Sequence, residues 1–188
     1  ELIEWIVEES KNLKIQQPNN LNILDIGTGS GCIPISLKKE LPNAEVFTID
    51  VSEKALEMAR KNAVDNEVEV NFMLKNILET DSLVEKYDVI VSNPPYVRNL
   101  EKQEIKKNVL AYEPHLALFV EDSDALLFYR KIAQLALTSL TPNGKLFFEI
   151  NQYLGKETVA LLENLGFKNI ELRKDFVGND RMICCEAP

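Results

Sequence analysis

Leu21-Asn22-Ile23-Leu24-Asp25-Ile26-Gly27-Thr28-Gly29-Ser30-Gly31 is the stretch on which the reading of this sequence turns. Leu21, Ile23, Leu24 and Ile26 form a short apolar run, as suits a strand buried on both faces of a parallel sheet. The run ends in glycines at alternate positions, which permit a tight turn and let a ligand approach the bare backbone. Gly31 to Leu41 reads as a helix with Ile33, Leu37 and Leu41 on one side. Pro34 falls in its first turn, where a missing N–H costs little. The N-terminal N–H groups of that helix point into the space above the glycines and favour a carboxylate. A dinucleotide fingerprint needs a glycine at position 32, where Cys32 stands instead. The spacing therefore suits a ligand with an amino-acid tail. Cys32 itself reads as a small core residue.

Outward from this turn the same alternation repeats. Leu2, Ile3, Ile6 and Val7 recur at helical spacing, and Lys14 to Asn20, with Pro18, reads as a loop. Ala44 to Ile49 is a strand ending at Asp50, and Ser52 is a good N-cap for a helix through Ala63. Val68 to Leu74 and Tyr87 to Ser92 are further strands. A helix from Ala125 to Leu140 is stopped by Pro142 and Gly144, and on it Leu127, Phe128 and Tyr129 read as a core face. Lys145 to Ile150 is a strand, and Gly155 to Leu165 a helix ended by Gly166. Phe167 to Leu172 and Arg181 to Glu186, joined by a turn at Gly178-Asn179-Asp180, close the chain as a hairpin. The expected fold is α/β: a doubly wound, mostly parallel seven-stranded sheet with a C-terminal antiparallel hairpin at one edge, built as one domain. Val97 to Asp124 is the longest irregular stretch, expected to be partly helical and functional.

Two strand ends carry further chemistry. Asp50, with Ser52 free to cap the helix, can accept both hydroxyls of a ribose. Asn76 and Ile77, after the third strand, allow two readings: a base-edge hydrogen bond with an aliphatic lid on its face, or a polar loop start with a buried aliphatic. Asn93-Pro94-Pro95-Tyr96 follows the fourth strand. Each proline restrains the residue before it, and neither has an N–H to offer. The Asn93 side-chain carbonyl and the Pro94 backbone carbonyl are thus two acceptors side by side, matched to a planar –NH2 with two donors. Tyr96 can stack on that flat group. The motif recognises an amino group attached to a conjugated system. His115, the one histidine, has no evident nucleophile partner. Glu113 reads as an exposed loop carboxylate or as part of a substrate channel.

The totals narrow the field. The chain has 188 residues, 45% hydrophobic and 27% charged, as in an ordinary globular domain. A net charge of -9 repels phosphate backbones, and Lys102, Lys106 and Lys107 are interleaved with Glu101 and Glu104 rather than forming a basic patch. The 3 cysteines have no zinc-ligand spacing and suggest reduced thiols in the cytoplasm, with no metal. Cys184 and Cys185, adjacent in a strand, should point to opposite faces. Apolar runs are too short to cross a bilayer. The chain starts at Glu1, within a helical pattern and without methionine, which suggests a fragment.

These motifs together resemble the protein-glutamine methyltransferases that modify peptide chain release factors, the HemK/PrmC family. The resemblance rests on Asp25 to Gly31, on Asp50-Val51-Ser52 with Ala55, Leu56 and Ala59, and on Ser92 to Tyr96. It extends through Tyr112-Glu113-Pro114, Ala117-Leu118, Tyr129-Arg130-Ile132 and Gly178-Asn179-Asp180-Arg181. It implies a class I, Rossmann-like methyltransferase fold in which Asp25, Gly27, Thr28, Gly29, Ser30, Gly31, Asp50, Asn76, Ile77 and Asn93 hold S-adenosylmethionine, released as S-adenosylhomocysteine. It implies that Asn93, Pro94, Pro95 and Tyr96, with Glu113 nearby, grip the glutamine of a Gly-Gly-Gln motif in a class 1 release factor. Asn93, Pro94 and Tyr96 would carry the catalysis. The resemblance also implies a small N-terminal helical docking domain that this chain lacks. Asn76 departs from the acid more usual there, and Ile77 from an aromatic. A cytoplasmic monomer without nucleic-acid or membrane contacts is expected. Methylation of a ribosomal-protein glutamine, of adenine N6 in nucleic acid, or a non-catalytic cofactor-binding module are the competing readings.

Overall fold

The computed structural model describes residues 1–16, 21–95, 97–98, 119–120 and 124–188. Its helices are α1 (Leu2–Gln16), α2 (Cys32–Glu40), α3 (Glu53–Asp65), α4 (Leu127–Ser139) and α5 (Gly155–Asn164). Its strands are β1 (Asn22–Ile26), β2 (Glu45–Asp50), β3 (Asn71–Leu74), β4 (Tyr87–Ser92), β5 (Val97–Arg98), β6 (Phe119–Val120), β7 (Leu140–Glu149), β8 (Lys168–Lys174) and β9 (Asp180–Glu186). Seven of them form one sheet in the order β3-β2-β1-β4-β7-β9-β8. Pairings from β3 through β7 are parallel, and β9 runs antiparallel to both its neighbours. The doubly wound, mostly parallel sheet with a C-terminal hairpin is therefore the observed fold. The hairpin's first strand, β8, is the edge and runs with the parallel set; only β9 is reversed.

Apolar runs become strands here because both faces of the sheet are covered. Ile23, Val89, Val91 and Phe147 pack in one layer with Trp5, Ile6 and Leu37 of α1 and α2. Leu24, Ile26, Ile90, Leu146 and Phe148 pack in the other with Tyr129, Ile132 and Leu162 of α4 and α5. Cys184 lies in the first layer and Cys185 in the second, on opposite faces as the strand period requires. Burial lifts the Cys184 thiol to about 12 and raises that of Cys185 as well. Edge-to-face ring pairs, Trp5 with Phe147 at 5.5 Å and Tyr129 with Phe148 at 5.2 Å, hold the two layers. Lys145 bridges Glu9 and Glu186 at 2.9 and 3.0 Å, tying α1 to the sheet.

Several sequence expectations change in detail. The polar segment Lys14 to Asn20, expected to be a loop, is helical as far as Gln16, and residues 17–20 lie outside the described residues. In α2, Leu37 and the following Leu41 are buried as expected and Ile33 is half-buried against the same layer; Pro34 and Ile35 are buried too, so the apolar face is wider than the expected stripe. Leu127 is exposed, whereas Tyr129 is fully buried. Cys32 is exposed at the start of α2, not a core residue, because the preceding left-handed glycine turns the first helical position outward. α4 ends at Ser139 and the chain enters β7 directly; Pro142, Asn143 and Gly144 occupy an irregular approach before regular pairing begins at Lys145. Thr141 donates to Asp88 Oδ1 at 2.8 Å there, and Asn143 takes φ 66. Of the stretch read as irregular, residues 97–98 pair with 119–120 as a short parallel ladder.

Parallel strands deliver their carboxyl ends to one rim, and the strand order reverses between β1 and β4. Gly31 is the tight point on that rim: at φ 86, an added Cβ would lie 2.9 Å from Ile35 Cδ1 and 3.1 Å from Ala59 Cβ. Gly29, at φ 54, has nothing within 4 Å. Gly31→Ala is expected to cost about 2–4 kcal/mol, from left-handed strain plus overpacking, against about 1 kcal/mol for Gly29→Ala. Urea unfolding of both variants checks this, and equal losses would mean that the α2–α3 approach is not the constraint.

Candidate functional site

The rim is assembled by bonds between strand ends. Gly27 N and Thr28 N donate to Ile49 O at 2.8 and 3.3 Å, joining the glycine turn to β2. Ser92 Oγ donates to Ile26 O at 2.6 Å, a buried bond that joins β4 to β1 one residue before Asn93. Gly27, Gly29 and Gly31 all take positive φ, at 84, 54 and 86. Gly31 caps α2 and has no side chain to satisfy the first-turn N–H groups, and no acid lies in that turn. Those donors stay available to an anion. Asn62 of α3 donates to Ser30 O at 2.8 Å and steadies the turn from outside.

Asp50 ends β2 beside this turn. Its Oδ2 accepts from Gly29 N at 2.9 Å and its Oδ1 from Ser52 N at 2.8 Å. Ser52 Oγ accepts from Ala55 N at 3.3 Å, so Ser52 performs the capping, as expected. Each Asp50 oxygen keeps a lone pair for a ligand hydroxyl. Asn76 caps the short turn Ile77–Glu79, its side chain accepting from Leu78 N at 3.1 Å, and Ile77 joins the core. The structure gives both residues the structural job of their two readings, at the end of β3 next to Asp50.

Asp25 is the least ordinary group. It lies at 0% exposure in β1; its Oδ2 accepts from Thr48 Oγ1 at 2.8 Å, while Oδ1 has no partner. Thr28 Oγ1 is also buried without a partner. Thr28 lies close enough to favour the ionised form of Asp25, yet its hydroxyl is not in hydrogen-bonding geometry with it. Burial dominates and lifts the Asp25 carboxyl from 3.8 to about 7, with the two threonine hydroxyls opposing and the Asp50 charge adding to the rise. Two orphaned polar atoms under the glycine turn are what a site shaped for a polar ligand leaves behind in its absence.

On the other side of the switch point, Pro94 is buried and Asn93 and Pro95 are half-buried. The Asn93 carbonyl oxygen lies 3.9 Å from where a Cβ on Gly27 would stand, so the glycine turn and the Asn-Pro-Pro segment share one wall. Tyr96, Glu113 and His115 lie outside the described residues, as do Lys102, Lys106 and Lys107. Sequence reasoning assigned no role to Thr48, Asn62 or Ser92. Thr48 had a usable signal: it is a polar residue in a doubly buried strand, and it pairs directly with Asp25. An open groove of about 950 Å³ lies elsewhere, at the amino ends of β2 and β3 beside Lys38, Arg60 and Phe72. Its lining has no convergent set of unsatisfied polar groups, so the rim is the better candidate.

Residues 11–116, more than half of the chain, match the methyltransferase small domain. The chain belongs to that family. It is 69% identical over 183 residues to the release factor glutamine methyltransferase of Flavobacterium psychrophilum, covering 97% of this chain and 64% of the relative. It is 46% identical to the protein of the same name from Bacteroides thetaiotaomicron, again covering 97% of this chain and 64% of the relative. The chain thus spans somewhat less than two-thirds of these curated relatives. Among solved structures, the fold matches the ribosomal protein L11 methylase of Lactobacillus delbrueckii subsp. bulgaricus with a TM-score of 0.66 at 20% identity, covering 99% of this chain and 76% of the other. It also matches the magnesium protoporphyrin IX methyltransferase of Synechocystis PCC 6803, solved with bound SAM, with a TM-score of 0.61 at 17% identity, covering 99% and 78%. These likenesses establish the methyltransferase fold.

The Asp25 environment makes a pH prediction. Its folded value of about 7 lies above the ordinary 3.8, so the folded state holds the proton more tightly than the unfolded chain. Stability is then highest below the unfolded value and declines as pH rises through the folded one. Asp25→Asn, which cannot ionise, should gain on the wild type by about 1–3 kcal/mol between pH 5 and pH 8 in ligand-free unfolding experiments. A stability difference independent of pH would show that Asp25 does not carry this proton.

Proposed function

We propose that this chain is the catalytic domain of a protein-(glutamine) N-methyltransferase that transfers the methyl group of S-adenosylmethionine to the side-chain amide of the Gly-Gly-Gln glutamine in class 1 release factors. The observation that carries the reading is the Asn93-Pro94-Pro95 segment set against the glycine turn at the switch point. The 69% identical relative of that name supports the choice of acceptor. The proposal includes a further domain for substrate docking, since the relatives are longer than this chain. It also takes the protein to be a cytoplasmic monomer. No helix among the described residues is long and apolar enough to cross a membrane.

The residues of the rim fit the cofactor. The uncapped first turn of α2 and the glycine turn offer N–H donors to its carboxylate, and Asp50 offers acceptors to two ribose hydroxyls. In this reading Asn76 and Ile77, which follow β3 beside Asp50, face the adenine. When bound, the cofactor supplies an electrophilic methyl group on a sulfonium. An amide nitrogen is a poor nucleophile because its lone pair is delocalised into the carbonyl. Asn93 and Pro94 accept its two hydrogens in fixed directions, which favours rehybridisation and orients the lone pair. In this reading Tyr96 and Glu113, outside the described residues, also serve the acceptor. No dedicated base is required, because the proton can leave after transfer. The chain's net charge of -9 disfavours adenine in nucleic acid as the acceptor.

Labelled S-adenosylmethionine offered with an unmodified class 1 release factor, and with its Gln→Ala variant in the Gly-Gly-Gln motif, tests the reading. Label should appear on the first factor alone. Asn93→Ala should lower kcat by about a hundredfold or more with cofactor affinity within about threefold, because its acceptors serve the transition state. Asp50→Ala should do the reverse and weaken cofactor binding. Parallel loss of affinity and turnover in Asn93→Ala would move that residue out of the acceptor site.

A further inference from the structure

The stretch Gly178-Asn179-Asp180-Arg181 has no part in the site described above, yet it completes an unusually well-tied turn between β8 and β9. Asp175 Oδ1 accepts from Val177 N at 3.0 Å and Asn179 N at 2.9 Å. Asp175 N donates to Asn179 O at 2.8 Å, and Gly178 N, at φ 98, to Asp175 O at 2.9 Å. Arg181 reaches Asp175 Oδ2 at 3.3 Å, and Lys174 reaches Asp180 Oδ1 at 2.8 Å and Gly178 O at 3.2 Å. Asp180 in turn sits against α5, where a Cβ on Gly155 would come within 2.7 Å of its Oδ2. Phe176 N donates to Glu1 Oε1 at 3.1 Å.

What this bracing displays is apolar. Phe176 is 91% exposed and Val177 is 69% exposed, side by side. A rigid turn presenting two adjacent apolar side chains loses little conformational entropy when they are buried by a partner. The turn is also on the site's rim. Ser92, Phe148, Ile183 and Leu172 lie on one line across β4, β7, β9 and β8. Asn93 follows Ser92, and the turn opens just past Leu172. Three strand spacings, about 14 Å, separate them. A protein interface of ordinary size, about 800 Å² per partner, covers both points at once. Glu1, Glu4, Glu8 and Asp175 line the shallow hollow of about 370 Å³ beside the turn, and the two cations there, Arg173 and Lys174, are already paired with Glu171 and Asp180.

We propose that the 175–179 turn is a docking knob for the protein that carries the acceptor glutamine, with Phe176 and Val177 entering an apolar cleft on that protein bordered by basic residues. The inference rests on the reading given under Proposed function. The acid-lined surroundings and the net charge of -9 select a basic protein surface over a second copy of this chain or an anionic membrane.

The test uses the natural full-length protein and an unmodified class 1 release factor, comparing wild type with Phe176→Ser and Val177→Ser in steady-state methyl transfer. Each variant should raise KM for the release factor about tenfold or more, with kcat and cofactor affinity unchanged, and Phe176→Leu should recover most of the loss. Unchanged KM with an active wild type overturns the docking role and leaves the proposed function standing. A wild type that does not label the factor overturns both. A drop in Tm in the variants would mean that the protein's own chain covers the turn, and a change in oligomeric state that a second copy does. Either result overturns the inference.

Discussion

Three backbone-centred bonds at the ends of β1, β2 and β4 hold the rest of the rim in place. Ile49 O receives two N–H groups from the glycine turn, and Ile26 O receives the Ser92 hydroxyl. The Ser92 bond is buried between the two hydrophobic layers, so water does not compete for it. Because these bonds fix where each strand stops, they also fix where Asp50, Gly27 and Asn93 leave the sheet. The two halves of the candidate site, one for a nucleoside with an amino-acid tail and one for a planar amino group, therefore meet at a single junction and need no moving part to be aligned.

The same junction explains why a carboxylic acid is tolerated in the centre of the sheet. Asp25 pairs in register with Thr48, which supplies a hydroxyl where an all-apolar strand would supply nothing. Replacing the lost hydration with one hydroxyl leaves the carboxyl only partly compensated. The remaining cost sits directly beneath the glycine turn.

Much of this was legible because double burial writes itself into composition. β1 and β4 follow from runs of Ile, Leu and Val followed by Gly or Asn, and β4 was bounded correctly at both ends; the β8–β9 hairpin follows from the Gly178-Asn179-Asp180 turn signal between two short strand-like segments. The capping of α3 by Ser52 was also legible, since a serine before a helical pattern is a good N-cap. What was hidden depends on neighbours distant in sequence. Cys32 looked apolar, but the left-handed Gly31 swings it into solvent. Leu127 sits in a helical stripe whose outer edge meets no partner, and Pro142 to Gly144 look like a helix stop although the chain passes straight into β7. Thr48 and Ser92 are small polar residues in strands, and only the register reveals which carbonyl or carboxyl each one faces.

The distribution of thiols has a practical side. Cys184 and Cys185 are buried in opposite layers with their ionisation pushed far above neutral pH, so neither offers a thiolate to a reagent in the folded protein. Cys32 is the third and last cysteine of the chain, and it is exposed next to Ser30 at the mouth of the glycine turn. Within this domain a fluorophore or spin label directed at thiols would therefore attach at one place, beside the glycine turn.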